Sequence, residues 1–297
     1  MEQIKQNFSI KDLENLSGIK AHTIRIWEKR YKILTPNRTS TNIRTYDNSN
    51  LQKILNVAFL NENGYKISRI SKLSDEEICD MVQNISASSS RENRAQNAFQ
   101  LAMLNFDEEL FNKTYNDLIK DKSFREIFSQ VFMPLLEKVG FLWQTDTIKP
   151  IHEHYIVDLI KQKMYLNIAE AKEKLPATTK NLYVLFLPEN EIHDLGIIYL
   201  YYELILNGNQ TIYLGGNLPV TDLSYLLERR EKINFVSYFT TRPENVEDYI
   251  NDFKRQIGDN NDYKLLLFGH KLRSLEHKRL PDFVTTHTNL NQFVSQL

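Results

Sequence analysis

A histidine flanked by carboxylates is the group of residues best suited to chemistry in this chain. The apolar run Leu182–Pro188 leads into Glu191, His193 and Asp194. Loops that follow buried strands form the ligand crevice of an open α/β sheet, so this segment predicts a ligand site. His193 could bind a metal through Nε2 while Glu191 or Asp194 holds its Nδ1–H, an arrangement that orients a ligating imidazole.

The kind of metal site is limited by the presence of one imidazole. A single ligand cannot hold a bare metal ion, but it can serve as an axial ligand of a cofactor that brings its own equatorial ligands. Gly196, which opens the next amphipathic segment, would leave room for a bulky group. A surface histidine in a loop is the alternative that the residue types alone favour. We find no triad, phosphate loop or clustered metal ligands in the sequence, so we do not expect an enzyme.

Basic residues near the N-terminus predict binding to a polyanion. Residues 1–73 hold 13 Lys and Arg against 6 Asp and Glu, a difference of +7, although the formal charge of the whole chain is −1. A helix predicted over Ala21–Tyr31 turns Ile24 and Trp27 inward, so its opposite face could meet phosphates and base edges. That face carries Thr23, Arg25, Lys29 and Arg30, and Arg38 and Arg44 follow in a predicted wing. The alternative is a solvated charged face on a small helical domain.

Short helices must position these basic residues. Ser9 can cap a helix over Ile10–Asn15, and Ser17-Gly18 ends it, so that Ala21–Tyr31 completes a helix-turn-helix. Residues 35–50 are turn formers that suit a hairpin wing. Further helices are predicted over Leu51–Asn63, Ile67–Leu73 and Asp75–Ile85.

Two more domains are expected after a polar linker at Ser86–Ser90. Amphipathic helices that would form a bundle are predicted over Arg91–Leu104, Asp107–Lys120, Ser123–Trp143 and Ile151–Lys174, with Pro134 as a candidate kink. Strands then alternate with helices, which predicts a doubly wound parallel sheet. The strands are expected near 182–187, 211–214, 234–239, 264–268 and 283–287, and the helices near 194–207, 219–230, 243–257, 271–279 and 289–297. The expected domains are 1–85, 86–177 and 178–297.

Length and composition suit a multidomain globular chain of 297 residues with 41% apolar and 25% charged residues. We see no run of eighteen apolar residues and no signal-peptide core after Met1, so we expect a cytoplasmic protein without a membrane segment. The single cysteine, Cys79, excludes an internal disulfide and a thiolate metal cluster.

The N-terminal region resembles the MerR family of regulators. The resemblance covers residues 7–75 and rests on Ser9-Ile-Lys-Asp-Leu, Ser17-Gly-Ile, Thr23-Ile-Arg-Ile-Trp-Glu-Lys-Arg-Tyr and Ile43-Arg-Thr-Tyr. It implies a dimeric winged-helix protein that binds inverted repeats in double-stranded DNA. It places Thr23, Arg25, Arg30, Tyr31, Arg38 and Arg44 at DNA-facing positions, with Asn42 in place of the usual wing glycine.

The segment around His193 is similar to the cobalamin-binding signature Asp-x-His-x-x-Gly of methionine synthase and corrinoid proteins. This similarity implies that His193 binds cobalt and that Ser237 bonds the nucleotide tail of the cofactor. Gly215-Gly216, after the second strand, matches the tail-binding loop, and Glu191 stands where the enzymes have aspartate. Phe268-Gly269-His270 replaces a Gly-Gly pair, so His270 is expected to narrow the tail crevice.

Trp143 and Glu153-His154 resemble a Trp-x9-Glu-His motif that caps the upper cobalamin face in CarH-type photoreceptor repressors. An indole is a flat lid for an adenosyl group, and glutamate and histidine offer it polar contacts. Gln144 stands where the light-converted state of that group uses a histidine, with His152 nearby as a substitute. The alternative is that Trp143 is bundle core and that Glu153-His154 is an exposed helix start.

The domain order resembles that of CarA/CarH/LitR regulators: an α winged helix-turn-helix, a four-helix bundle and a Rossmann-like (flavodoxin-like) α/β sheet. The resemblance implies a transcriptional repressor in which adenosylcobalamin lodges between bundle and sheet. It further implies a homo-oligomer, dimer or tetramer, that occupies an operator until light cleaves the cobalt–carbon bond. One alternative keeps the fold but replaces the cofactor by an antirepressor protein. A corrinoid methyl carrier is a third possibility, although it has no use for a helix-turn-helix.

Overall fold

The structure is a computed structural model that describes residues 7–39, 41–86, 91–145, 147–179, 181–229, 232–258, 262–275, 279–287 and 290–294. The chain divides into two compact units, Met1–Leu159 and Ile160–Leu297. Within the described ranges, no helix has the length and apolar character needed to cross a membrane. The predicted linker falls mostly on residues 87–90, which lie outside the described residues.

A winged helix-turn-helix forms the first part of the N-terminal unit, as predicted. Its elements are α1 (Ile10–Ser17), α2 (Ala21–Tyr31), β1 (Asn37–Arg38), β2 (Arg44–Thr45), α3 (Asn48–Glu62), α4 (Ile67–Ile70) and α5 (Asp75–Ser86). Ser9 and Asp12 form a capping box at the start of α1, and Gly18 ends this helix with a φ of 74°. Ile24 and Trp27 are buried, so the opposite face of α2 is turned outward.

Helices that surround a phenylalanine core form the next part of the chain. They are α6 (Arg91–Asn105), α7 (Glu108–Leu118), α8 (Phe124–Ile127), α9 (Met133–Gln144) and α10 (Pro150–Lys174). The ring centroid of Phe99 lies 4.9 Å from that of Phe111 and 5.2 Å from that of Phe132. The predicted helix over 123–143 is divided by a π-helical turn at Phe128–Phe132, just before Pro134. Because proline has no N–H to donate, the wider turn accommodates the missing hydrogen bond.

A parallel sheet with helices forms the C-terminal unit. Its elements are β3 (Leu182–Pro188), α11 (Leu195–Leu206), β4 (Gln210–Leu218), α12 (Val220–Leu223), β5 (Ile233–Tyr238), α13 (Val246–Ile257), β6 (Tyr263–Phe268), β7 (Val284–His287) and α14 (Leu290–Val294). Among the described residues the strand order is β4-β3-β5-β6-β7, and every pairing is parallel. This order confirms the predicted flavodoxin-like sheet, and it puts the topological switch point between β3 and β5.

Alternate residues of the strands face two different layers. Phe235, Leu265 and Val284 share one buried cluster with Phe253 of α13. The residues that alternate with these along each strand point to the opposite face of the sheet, where α11 contacts β3, β4 and β5. The ends of β3 and β5 therefore bring their loops to one edge of the sheet, next to the start of α11.

Two predicted helices and one predicted loop differ from the structure. The helix expected near 219–230 is the single turn α12 followed by a 3-10 helix at Ser224–Arg229. The helix expected near 271–279 is a 3-10 helix at His270–Leu275, and residues 276–278 are outside the described part. Gly215 and Gly216 were expected after the second strand but lie inside β4. The strand continues through a bulge at Gly215, whose φ of 81° suits a glycine.

Candidate functional site

His193 and Glu191 lie in the loop between β3 and α11, at the switch point of the sheet. Glu191 Oε1 accepts a hydrogen bond from the backbone N–H of His193 at 2.9 Å, and it lies 2.7 Å from His193 Nδ1. A carboxylate can only accept, so the Nδ1 atom carries the proton of the neutral imidazole. The pair thus fixes both the tautomer and the orientation of the ring, as predicted for a ligating histidine.

The carboxylate of Glu191 is itself held by the loop that follows β5. Its Oε2 atom accepts from the backbone N–H groups of Thr240 at 2.9 Å, Thr241 at 2.7 Å and Arg242 at 2.9 Å. Burial alone would raise the pKa of Glu191, but the N–H groups of Arg242, His193 and Thr241 lower this pKa to about 2. Glu191 is therefore a buried, ionised carboxylate that joins two strand ends.

The other nitrogen of His193 remains available. The His193 side chain is 43% exposed, and among the described residues its Nε2 atom has no hydrogen bond. With Nδ1 protonated, the Nε2 lone pair can bind a metal. A single imidazole donor can bind a metal that brings its other ligands with it. The described residues contain no group of three or more candidate metal ligands.

Asp194 does not share this role. The sequence left open whether Glu191 or Asp194 holds Nδ1 of the imidazole, and in the structure Glu191 does so. Asp194 instead forms an ion pair with Lys161 and precedes the first turn of α11.

The room expected beside Gly196 is filled. A Cβ atom at Gly196 would lie 2.7 Å from Cε2 and 2.8 Å from Cζ of Tyr238, the last residue of β5. The glycine therefore permits close approach of an aromatic ring of the same chain rather than of an outside group. With this ring in place, the crevice beside Gly196 does not fit a nucleotide tail.

Two other residues assigned to the tail, Ser237 and Gly269, also have close neighbours within the chain. Gly215 and Gly216 do not: an added Cβ would meet nothing within 4 Å at Gly215 and no atom closer than 3.6 Å at Gly216. The fully buried hydroxyl of Ser237 donates to the backbone oxygen of Phe186 at 2.9 Å, which links β5 to β3. Gly269 has a φ of 106°, and a Cβ there would lie 2.2 Å from the backbone oxygen of Phe239. The side chain of His270 is exposed, so the expected narrowing of the crevice by this imidazole is wrong; Tyr238 fills it instead.

Trp143, Glu153 and His154 lie in the N-terminal unit, on both sides of the connection between α9 and α10. Trp143 is 50% exposed, so it is not part of the bundle core. Glu153 is half-buried and His154 is exposed, both in the first turns of α10. His152 is buried: its Nδ1 accepts from the N–H of Lys149 at 3.2 Å, and its ring stacks on Phe106. This packing removes His152 as a substitute for the exposed Gln144.

The predicted DNA face lies on α2 and the wing. Arg25, Lys29 and Arg30 are exposed, whereas Thr23 and Tyr31 are half-buried. Arg38, at the base of the wing, donates from Nη1 to Asn42 Oδ1 at 2.6 Å. Asn42 adopts a φ of 64°, which asparagine tolerates better than most residues, so a residue other than glycine can form this turn.

Arg44 is partly committed to a contact inside the domain. Its Nε atom lies 3.1 Å from Oε2 of Glu28, whose side chain is 8% exposed, and the hydroxyl of Tyr46 donates to the same carboxylate. Arg44 therefore holds the wing against α2, in addition to any contact that it makes with DNA.

Comparisons with known proteins match two regions of the chain and its fold. A model of the MerR HTH family regulatory proteins matches residues 8–77, and a model of the B12 binding domain matches residues 95–166. The HTH-type transcriptional repressor CarH of Myxococcus xanthus is 23% identical over 255 residues, 82% of each chain. The monomethylamine corrinoid protein of Methanosarcina barkeri has a similar fold, with a TM-score of 0.56 and 16% identity over 69% of this chain and 96% of that one. The chain therefore combines a region that matches the MerR HTH family, residues 8–77, with a region that matches the B12 binding domain, residues 95–166, and over most of its length it is similar to a transcriptional repressor.

Proposed function

We propose that this regulator is a repressor whose binding to an operator in double-stranded DNA is controlled by a corrinoid, which is adenosylcobalamin where the ring of Tyr238 gives way to the nucleotide tail. The observation that carries the proposal is the exposed Nε2 of His193, whose ring is fixed by the buried carboxylate of Glu191. This is the arrangement that orients a ligating imidazole. The sequence relationship to a repressor supports the direction of control.

The residues that would hold the cofactor divide into two sets. His193 would bind the cobalt through Nε2, and Glu191 would keep the Nε2 lone pair directed outward. On the helical side, the half-exposed indole of Trp143 offers an apolar surface for an adenosyl group, and Glu153 and His154 offer polar contacts. When bound, adenosylcobalamin supplies a cobalt–carbon bond that light can break.

The DNA-binding part would act through two surfaces. Residues of α2 would enter the major groove, and the wing would contact the flanking phosphates. The proposed contact residues are Thr23, Arg25, Lys29, Arg30, Tyr31, Arg38 and Arg44. Each such domain binds weakly alone, so a homo-oligomer that presents several domains to one operator gains affinity because the second contact becomes nearly intramolecular.

The test measures DNA binding and corrinoid retention in the same preparations. The full chain is mixed with adenosylcobalamin in the dark, freed of unbound corrinoid, and titrated against a duplex that this protein selects from a random pool. We expect a bound corrin spectrum and tighter DNA binding with the cofactor, and we expect both to be lost in His193→Ala. His270→Ala, which removes an exposed histidine from the same edge of the sheet, is the matched control and should keep both.

Identical DNA binding with and without the corrinoid would overturn cofactor control. Illumination of the loaded protein tests the finer proposal, because release of DNA in the light is expected and unchanged binding contradicts a light response.

A further inference from the structure

An aromatic stack closes the carboxyl end of the sheet on the face that α11 covers. Tyr238, Phe268 and His287 are paired in register across β5, β6 and β7. The rings of Tyr238 and Phe268 are 6.4 Å apart at an angle of 9°, and those of Phe268 and His287 are 5.0 Å apart at 18°. Phe293 of α14 packs edge-on against Phe268, with ring centroids 5.0 Å apart.

This stack leaves little free space. At one end, the Tyr238 ring occupies the volume where any side chain of residue 196 would lie. At the other end, His287 is so enclosed that its Nε2 has no hydrogen-bond partner within the described part of the chain. Partial burial also raises the pKa of the Tyr238 hydroxyl.

The position of the stack matters because of the shape of a corrinoid. The nucleotide tail of cobalamin leaves the lower face of the corrin, which is the face that a histidine ligand approaches. If His193 holds the cobalt, the displaced tail has to enter the protein close to His193. Between β5 and the start of α11, Gly196 and Gly269 offer no space for it, because Tyr238 lies against the first and the backbone of Phe239 against the second. Gly215 and Gly216 of β4 are not filled in this way, so the obstruction is confined to the side of the crevice where Tyr238 lies.

We propose that Tyr238 determines which corrinoids this site accepts, by disfavouring those that carry a nucleotide tail. A corrinoid without the tail, such as cobinamide, binds His193 with the aromatic stack undisturbed. Cobalamin binds only after the ring of Tyr238 has left its place between Gly196 and Phe268. This specificity rests on the proposed function, because it assumes that His193 is the axial ligand.

The experiment compares two probes, hydroxocobalamin and aquocobinamide, titrated into the full chain and followed by their visible absorption. Wild-type protein should bind cobinamide at least about 10-fold to 100-fold more tightly than cobalamin, because cobalamin has to displace the half-buried ring of Tyr238 and also has to release its own tail base from cobalt. Tyr238→Ala should tighten cobalamin binding by a similar factor and leave cobinamide binding unchanged. Tyr238→Phe keeps the ring and should retain the wild-type preference.

Tyr183→Ala is the matched control, because Tyr183 lies at the opposite end of β3, where burial likewise raises the pKa of its hydroxyl. It should leave both affinities unchanged. The preference of wild-type protein alone does not test the role of Tyr238, because cobalamin also has to release its own tail base from cobalt before His193 can bind. The decisive readout is therefore the change in this preference in Tyr238→Ala, and Tyr238→Leu gives the same readout where the alanine variant does not fold.

The outcomes separate the two proposals. Equal affinity of wild-type protein for both probes, with His193→Ala abolishing both, would overturn the role of Tyr238 and leave the corrinoid function standing. Binding of neither probe would overturn the corrinoid function itself, and the specificity with it. Tighter cobalamin binding in Tyr183→Ala as well as in Tyr238→Ala would also overturn the inference, because loosening of the sheet would then explain both.

Discussion

His193 Nδ1 lies 2.7 Å from Oε1 of Glu191, while the other oxygen of the same carboxylate accepts backbone N–H groups from Thr240 to Arg242. One side chain thereby orients the candidate ligand and joins the loops after β3 and β5. The orientation of the imidazole thus depends on both loops at the switch point. A change in either loop should therefore change the position and direction of His193 Nε2.

Glu191→Gln tests the coupling between these two residues. The amide keeps an acceptor for Nδ1 but removes the charge, and its NH2 group faces backbone donors. We expect corrinoid retention to weaken by about 10-fold to 100-fold, the usual effect of changing a partner that orients a metal ligand. Equilibrium titration followed by visible absorption measures this loss.

Asp194→Asn is the control for that substitution. It removes a neighbouring negative charge that is paired with Lys161 rather than with the imidazole. Its corrinoid affinity should stay close to that of the wild type. Equal losses in both variants would show that the local charge, and not the contact between Glu191 and His193, supports the ligand.

The stability of the fold should depend on the ionisation of Glu191. Its pKa in the folded chain is about 2, below the ordinary value of 4.5, so the folded state favours the ionised form. The resulting stabilisation is complete above about pH 4.5 and is lost as the pH falls toward about 2. At about 1.4 kcal/mol for each pKa unit, it contributes about 3 kcal/mol to the free energy of unfolding near neutral pH.

Urea unfolding of wild-type protein and Glu191→Gln at several pH values isolates this contribution. Other carboxylates titrate alike in both proteins, so the difference in free energy reports on Glu191. We expect the difference to be largest near about pH 6 and to shrink as the pH falls below about 4.5. A difference that stays constant over this range would contradict the lowered pKa.

The sequence predicts the contact between Glu191 and His193 because the two residues are only two positions apart. Their loop follows an apolar strand, and the alternation of strands and helices is enough to predict a parallel sheet with a ligand crevice at its carboxyl edge. The contacts of Glu191 with Thr240, Thr241 and Arg242 were missed, since they join residues about fifty positions apart. The polar residues just after β5 were the available signal, because the ends of parallel strands share an edge.

Free space is harder to predict than contacts. Gly196 and Gly269 look like openings in the sequence, because a glycine leaves a gap wherever nothing else enters it. In the folded chain, Tyr238 and the backbone of Phe239 enter these gaps. The sequence does not say which side chain packs against which glycine, since that depends on register between strands that are far apart along the chain.

Gly196→Ala tests whether this glycine serves packing. A Cβ at 2.7 Å from the Tyr238 ring forces the ring or the first turn of α11 to move, so we expect a loss of about 1–3 kcal/mol in the free energy of unfolding. The double variant Gly196→Ala/Tyr238→Ala should lose less than the sum of the two single changes, because removal of the ring also removes the clash. Chemical denaturation of the four proteins gives this cycle.

Gly140→Ala is the matched control for Gly196→Ala. Gly140 lies inside α9, and a Cβ there would meet no atom within 4 Å. Alanine favours a helix over glycine by about 1 kcal/mol, so this variant should be as stable as the wild type or more so. If the stability losses of Gly196→Ala and Tyr238→Ala simply add in the double variant, the ring of Tyr238 is not the reason that residue 196 has to be glycine.

Two arginines of the DNA-binding domain should differ in what their removal changes. Arg25 is exposed on α2 and has no ion pair among the described residues, so Arg25→Ala should lower affinity for DNA with little effect on stability. Arg44→Ala should also destabilise the domain by about 1–3 kcal/mol, because it takes the ionic partner from the largely buried Glu28. Fluorescence anisotropy with a mixed-sequence duplex at several salt concentrations, together with urea unfolding, separates the two effects.

Loss of one phosphate contact should reduce the slope of log affinity against log salt by about 0.9. Lys120→Ala, which removes one positive charge from the exposed turn after α7, should leave the slope unchanged. An unchanged slope in Arg25→Ala would exclude a phosphate contact for this residue, and wild-type stability in Arg44→Ala would show that its contact with Glu28 does not hold the wing.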